Sequence, residues 1–249
     1  MNRDNPLRVV VLCSRRAPGV VELLDDPDYG DLFEIVGVIS SESRVEGAEE
    51  IIRRDVPLIH NPIREVMGEL GLSPFDLRHR GEYDRRTLDL LEVLRPDLVV
   101  LSSYLYLLSP VILDEWYGRV INVHDSDLTV KDEEGRPRYT GLRSSRDAIF
   151  AGEPQTRATV HIVTEELDAG PILFRSEPFP VSSVAAEARA WGDETILKAY
   201  ARAHRAWMIR AAWGPLLRRA IEIWAFFEIL LVNGRLYVNG TAAPLPDVE

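Results

Sequence analysis

Short apolar runs and amphipathic stretches alternate through the first half of the chain. The runs at 8–14, 33–40 and 97–102 are almost unbroken in apolar residues, many of them β-branched, as expected for strands covered on both faces. A shorter run at 56–59 and another at 119–124 complete the predicted strands of this half. Between them, 17–25, 44–54, 82–94 and 109–117 read as helices. In 82–94, Leu88, Leu91 and Leu94 recur at three-residue spacing opposite Glu82, Arg85, Arg86 and Glu92. Strands separated by helices of this length build parallel β-α-β units with right-handed crossovers. The expected fold class is therefore α/β, a mostly parallel sheet with helices on both faces. Segment 61–81 contains Pro and Arg, is weakly periodic, and is expected to be an irregular connection; polar segment 129–141 is expected to be a mobile surface loop. Runs 158–164 and 172–175 flank Asp168-Ala-Gly-Pro171 and form an edge β-hairpin. From 184 to 230 the pattern is helical, with a break expected at Trp213-Gly-Pro215, and 230–238 reads as a hairpin turning on Asn233-Gly234.

Composition narrows the functional classes. The 249 residues hold 29 Lys and Arg against 40 Asp and Glu, a net charge of −11. Binding to a phosphate backbone draws on clustered cations, so no nucleic-acid partner is expected. A single cysteine, Cys13, excludes an internal disulfide and a Cys-rich zinc site. Inside a predicted strand it reads as an inert core thiol. Residues 1–7 carry no apolar signal core, and no apolar run reaches the roughly 18 residues of a membrane span. A cytoplasmic protein without membrane contact is expected. No internal repeat and no Pro/Ser/Gly-rich linker divides the chain.

In open α/β sheets, ligands bind beyond the carboxyl ends of the strands. Two of the predicted strand ends are unusually polar: Ser102-Ser103-Tyr104 and Asn122-Val-His-Asp-Ser-Asp127. Residues two apart share a strand face, so Asn122 and His124 point to the same side. An amide donor beside an imidazole suits carbonyl chemistry, because the amide stabilises an oxyanion while the imidazole exchanges a proton near neutral pH. The plainer reading makes Asn122 a strand cap and His124 a half-buried histidine. Asp168 sits at a turn, where carboxylates usually cap local backbone N–H groups. On local grounds both readings stay open.

Three segments together are more specific. Arg95-Pro-Asp-Leu-Val-Val-Leu-Ser-Ser-Tyr-Leu-Tyr-Leu-Leu-Ser-Pro110, Trp116-Tyr-Gly-Arg-Val-Ile-Asn-Val-His124 and Thr164-Glu-Glu-Leu-Asp-Ala-Gly-Pro171 resemble, in order and in register, the folate-dependent formyltransferases. The likeness is nearest to the branch that formylates glycinamide ribonucleotide. Methionyl-tRNA formyltransferases, sugar N-formyltransferases and formyltetrahydrofolate hydrolases share the same core. The resemblance covers 7–180 and implies a Rossmann-like formyltransferase domain over 1–180. Residues 181–249 would form a C-terminal helical extension ending in a short β-hairpin, packed on the same domain. It further implies that an acceptor amine attacks the formyl carbon of 10-formyltetrahydrofolate. Asn122 and a protonated His124 would stabilise the oxyanion; Asp168 would hold His124 charged and help a water relay the proton to the leaving nitrogen. The folate heterocycle would lie against Tyr104, Leu105, Tyr106, Leu107 and Leu108, and against Glu165, Glu166, Leu167 and Gly170 of the turn. Taken singly, Leu105, Leu107 and Leu108 fit core packing better.

Two departures from the family pattern bear on the acceptor. After the first strand the glycinamide ribonucleotide branch carries a Gly-Ser-Asn loop that cradles a phosphate at a helix N-terminus. Here that place reads Ser14-Arg-Arg-Ala-Pro-Gly19, leaving Arg15 and Arg16 either as another grip on an anion or as a solvated pair. After the histidine the family has Pro-Ser-Leu-Leu-Pro, and this chain has Asp125-Ser-Asp-Leu-Thr129. Asp125 and Asp127 beside the reaction centre would disfavour an anionic acceptor and favour a sugar amine or a small cationic amine; they equally suit loop caps. No metal site is expected. His161 reads as strand packing, and Trp191, Trp207, Trp213 and Trp224 as core or a homodimer contact. The expectation is formyl transfer to a small-molecule amine other than glycinamide ribonucleotide. Formyltetrahydrofolate hydrolysis and glycinamide ribonucleotide itself are the alternatives, with a non-catalytic folate-binding homologue as the third reading.

Overall fold

The computed structural model describes residues 5–243. In its first half, β1 (Leu7–Cys13), β2 (Phe33–Ser40), β3 (Leu58–His60), β4 (Leu98–Leu101) and β5 (Val120–His124) alternate with α1 (Val20–Leu24), α2 (Ala48–Ile52), α3 (Ile63–Glu69), α4 (Arg80–Leu94) and α5 (Pro110–Glu115). Then come α6 (Ser144–Ala151), β6 (Gln155–Thr156), β7 (Thr159–Ile162), β8 (Ile172–Arg175) and β9 (Phe179–Pro180). The chain continues through α7 (Ser183–Ala190) and α8 (Glu194–Phe226) to β10 (Ile229–Val232), β11 (Arg235–Val238) and β12 (Thr241–Ala242). Seven strands form one sheet in the order β3-β2-β1-β4-β5-β7-β8; β1 to β5 pair parallel, and β7 and β8 close the edge as an antiparallel hairpin. Because β1 lies between β2 and β4, the winding reverses there, which opens a crevice beyond the strand ends.

Each sheet face has its own core. Val9, Val11, Cys13, Val100, Ile121, Val123, Val160 and Ile162 pack with α1 and with Trp213, Leu217, Ile221 and Trp224 of α8. Val10, Leu12, Val99, Leu101 and Val120 pack on the other side with Leu91 of α4, Ile112 of α5 and Trp116 just beyond α5. Burial pushes the Cys13 thiol up to about 12, which keeps it protonated and unreactive.

Two expectations about helices are corrected. Segment 61–81 is not wholly irregular. Pro62 caps α3, and Ile63, Val66 and Met67 bury one face at helical spacing. The break in the C-terminal helical region falls at Gly192, not Gly214. Gly192 has φ 68°, which ends α7, and the Asp193 carboxylate then accepts the N–H groups of Thr195 and Ile196 to start α8. Pro215 lies inside α8, where proline costs about 3 kcal/mol; burial of Trp213, Leu216, Leu217 and Ile221 around it offsets that cost. Gly214 has a packing role instead, since a Cβ there would meet the Glu22 side chain at 2.9 Å, so its absence lets α1 and α8 approach. The β10–β11 hairpin turns on Asn233-Gly234 as expected.

Candidate active site

The carboxyl ends of β4 and β5 open into a cleft of about 260 Å³. Its floor comes from alternation in β5: Ile121 and Val123 face the core under α8, while Asn122 and His124 face the cleft. The strand tip is tied down beyond His124. Thr159 Oγ1 donates to the Ser126 carbonyl at 2.7 Å, and Ser126 Oγ donates to the Tyr139 carbonyl at 2.6 Å. That same Tyr139 carbonyl lies 3.3 Å from His124 Nε2, fixing the ring from one side.

Asp168 reaches the site from the β7–β8 loop. This loop folds back over its own strand because Gly170 passes against the Ile162 carbonyl, where a Cβ would stand only 1.9 Å away, and because the Ile162 N–H bonds the Pro171 carbonyl at 2.9 Å. Asp168 itself adopts φ 54°, a left-handed conformation that Asp tolerates better than most side chains. Its Oδ2 accepts the Gly141 N–H at 2.7 Å, and its Oδ1 lies 3.6 Å from His124 Nδ1. At that distance the two form an ion-pair contact rather than a direct hydrogen bond. His124 and Asp168 are 7 % and 8 % exposed, so little water screens the interaction.

His161 belongs to the site, contrary to the packing role read from sequence. It pairs directly across β5 and β7 with Asn122, and opposed residues on an antiparallel pair share a face. Its Nδ1 donates to the Ile162 carbonyl at 3.0 Å, leaving Nε2 to accept the Asn122 amide at 3.1 Å. Burial, reinforced by the neighbouring His124, lowers the His161 pKa from 6.5 to about 4 against the opposing pull of Asp168. A neutral His161 thus takes one N–H of Asn122 and leaves the other for a ligand. The signal in the sequence was present, but reading it required the β5–β7 register.

The cleft brings together Tyr104, Leu105, Tyr106, Leu107, Leu108, Glu165, Glu166 and Leu167 with the three central residues. The N–H groups of Tyr106, Leu107 and Leu108 donate to no group of the described residues, while those of Leu105 and Ser109 are taken by Ser14 and Asp84. A strip of free backbone donors between apolar side chains fits a flat, polar-edged heterocycle. Gly170 shapes the loop without lining the cleft. Arg15 and Arg16 do not line it either; Arg15 is exposed, and the Arg16 backbone bridges to Glu46. Asp127 faces away, held by Arg175 at 3.2 Å and Arg157 at 3.7 Å. Asp125 does line the cleft, but Arg205 of α8 pairs with it. Neither carboxylate therefore offers a free negative charge to an acceptor. Trp213 and Trp224 are core residues, whereas Trp191 is 74 % exposed and Trp207 packs edge-on against Phe179. Among the described residues, no group of His, Cys, Asp and Glu is arranged to hold a metal ion, and no helix is long and apolar enough to cross a membrane.

A mostly parallel sheet with an amide, an imidazole and a carboxylate meeting at its crevice points to chemistry at a carbonyl. Residues 7–217 match the formyl transferase family, and the chain belongs to it. It is 35 % identical over 105 residues to phosphoribosylglycinamide formyltransferase of Escherichia coli K12, covering 42 % of this chain and 45 % of that protein. It is 31 % identical over 176 residues to formyltetrahydrofolate deformylase of Escherichia coli O6:H1, covering 70 % of this chain and 55 % of that one. The chain thus spans about half the length of these two relatives. The solved structure of phosphoribosylglycinamide formyltransferase from Coxiella burnetii shares the fold, with a TM-score of 0.68, 22 % identity and 96 % of each chain covered.

Proposed function

We propose that the protein transfers the formyl group of 10-formyltetrahydrofolate to the amine of a small-molecule acceptor. The observation that carries this reading is the convergence of Asn122, His124 and Asp168 on one cleft in a chain of the formyl transferase family. The donor supplies a formyl carbonyl on a nitrogen that can leave. Leu105 and Leu107 offer apolar contact to its heterocycle, and the free N–H groups at 106–108 offer hydrogen bonds. As the acceptor nitrogen bonds to the formyl carbon, the carbonyl oxygen gains negative charge. Asn122 donates its remaining N–H to that oxygen, and His124 donates from Nε2, whose N–H turns from the Tyr139 carbonyl 3.3 Å away to the developing oxyanion. The Asp168 carboxylate, 3.6 Å from Nδ1, offsets by its charge the positive charge that the ring carries as it donates to the oxyanion. The acceptor nitrogen then loses a proton, the donor nitrogen gains one, and the bond between formyl carbon and donor nitrogen breaks.

The likeness to a deformylase supports a second reading, in which water replaces the amine and formate is released. Tetrahydrofolate release, followed with and without a panel of amines that includes glycinamide ribonucleotide, separates the two. Release that depends on an amine supports transfer, and release at an equal rate without one supports hydrolysis. Neither release nor folate binding would overturn both.

A further inference from the structure

The segment between β4 and α5 carries the free N–H groups of Tyr106, Leu107 and Leu108, yet 102–109 belong to no strand or helix. Such a segment keeps one conformation where other elements hold it. Two buried side chains do so, one at each end of the free run. Ser14, just past β1 and 0 % exposed, accepts the Leu105 N–H through Oγ at 3.0 Å, and its hydroxyl is in turn tied to Ser41 Oγ at 2.6 Å. Asp84 of α4, also 0 % exposed, accepts the Ser109 N–H through Oδ2 at 2.6 Å. Ser109 is the N-cap of α5. In a capping box the side chain three residues on would take its N–H, but that residue is Ile112, and the acceptor comes from a different helix. The carboxylate is placed there at a cost. Burial pushes the Asp84 carboxyl up from 3.8, against the pull of Ser109 and of the Arg80 guanidinium one turn earlier on α4.

We infer that Ser14 and Asp84 are positioning residues for the formyl donor: by pinning Leu105 and Ser109 they hold 106–108 in the conformation that lines the cleft before the donor arrives. This rests on the placement of the donor heterocycle against that segment in the proposal above. With both ends fixed, the ordering of the segment is completed on folding, and the donor does not have to supply it on binding. Without Asp84 the Ser109 N–H is left unpaired in a buried place, and the segment shifts to find it a partner. A donor must then restore the segment before its polar edge can bond. Neither Ser14 nor Asp84 lines the cleft, and Asn122, His124 and Asp168 come from β5 and the β7–β8 loop. The effect therefore falls on donor affinity and spares the step after binding.

The test is calorimetric titration with 10-formyltetrahydrofolate, paired with tetrahydrofolate release at saturating donor, using whichever amine or water the release assay identifies as acceptor. The donor Kd is expected to rise about fivefold in Ser14→Ala and about tenfold in Asp84→Ala, the second bond being to a carboxylate. In both, kcat at donor saturation changes less than about threefold. Asp84→Asn keeps an oxygen for the Ser109 N–H, so its Kd stays within about threefold of the parent. Donor affinity unchanged in both Ala variants would overturn the inference, even with a lowered melting temperature, since that combination describes a structural tie alone. So would a fall in kcat as large as the loss of affinity, or an Asp84→Asn affinity no better than that of Asp84→Ala. Should Asp84→Ala fail to fold, Ser14→Ala decides by the same measures. A parent that binds no 10-formyltetrahydrofolate would overturn the donor reading and this inference with it.

Discussion

The two faces of β5 are held in opposite ways. On one face, Ile121 and Val123 are 0 % and 3 % exposed within a core that takes in β1, β4, β7 and α8. Many weak contacts share the work there, and no single one decides the geometry. On the other face, Asn122 donates one side-chain bond, to His161, and His124 has one carbonyl and one carboxylate nearby. Each of those contacts is unique. Residue parity along a single strand thus separates what stabilises the fold from the residues proposed to perform the chemistry. Substitutions on the two faces should divide accordingly.

The sharpest break comes on the site face. His124→Ala and Asp168→Asn are each expected to lower turnover about a thousandfold, within the range for loss of a proton-transferring group, while thermal melting stays close to that of the parent. Turnover within tenfold of the parent in either variant would remove these residues from the mechanism. The adjacent core residue should do the reverse. Ile121→Ala is expected to cost about 3 kcal/mol of stability in denaturant unfolding, from lost burial plus a cavity, with kcat changed less than about threefold because its face carries no chemistry. A large fall in kcat at full folate saturation would mean that the faces are coupled.

Gly170→Ala tests how the carboxylate is delivered. An added Cβ collides with the Ile162 carbonyl, so the loop must shift and carry Asp168 away from His124. Displacements of about 1 Å at a reacting centre cost about a hundredfold. We therefore expect kcat to fall by that factor while the β7–β8 pairing, read by hydrogen exchange at Val160 and Phe174, persists.

The contrast also marks what could be read from sequence. Period-two alternation and the succession of strands and helices along the chain are local, so the parallel sheet and the shared face of Asn122 and His124 were legible. His161 was not, because its role depends on which residue of β5 it opposes. Arg205 lies 80 positions from Asp125, and nothing local pairs them. The misplaced helix break has a similar cause. Gly214-Pro215 is a strong local stop signal, but the cores on either side bury enough of α8 to override it. At Gly192 the weaker signal prevails, because the chain there is exposed and Asp193 provides a cap. Asp125 and Asp127 were legible as charges, yet the arginines that neutralise them come from α8, β8 and the segment before β7.

The smallest expected effect concerns His161, which accepts the Asn122 amide and whose Nε2 lies 3.7 Å from the Asp168 carboxylate. His161→Gln keeps a side chain able to hydrogen-bond but loses the fixed ring acceptor that orients Asn122, so kcat is expected to fall about tenfold, less than for removal of an oxyanion donor outright. The variant has a second signature in stability. In the folded protein His161 titrates near 4, below the 6.5 of an exposed histidine, so the unfolded chain takes up the proton first. The stability that this neutral histidine contributes is complete above about pH 6.5 and declines as the pH falls toward 4. Below that, both states carry the proton and the dependence flattens. Denaturation midpoints from pH 7 to pH 4 should therefore fall more steeply in the parent than in His161→Gln. Parallel curves would mean that folding leaves the His161 pKa unchanged, and a shallower fall in the parent would mean that the folded state favours its imidazolium. An imidazolium there cannot accept the Asn122 amide, and the orientation argued for that amide would fail with it.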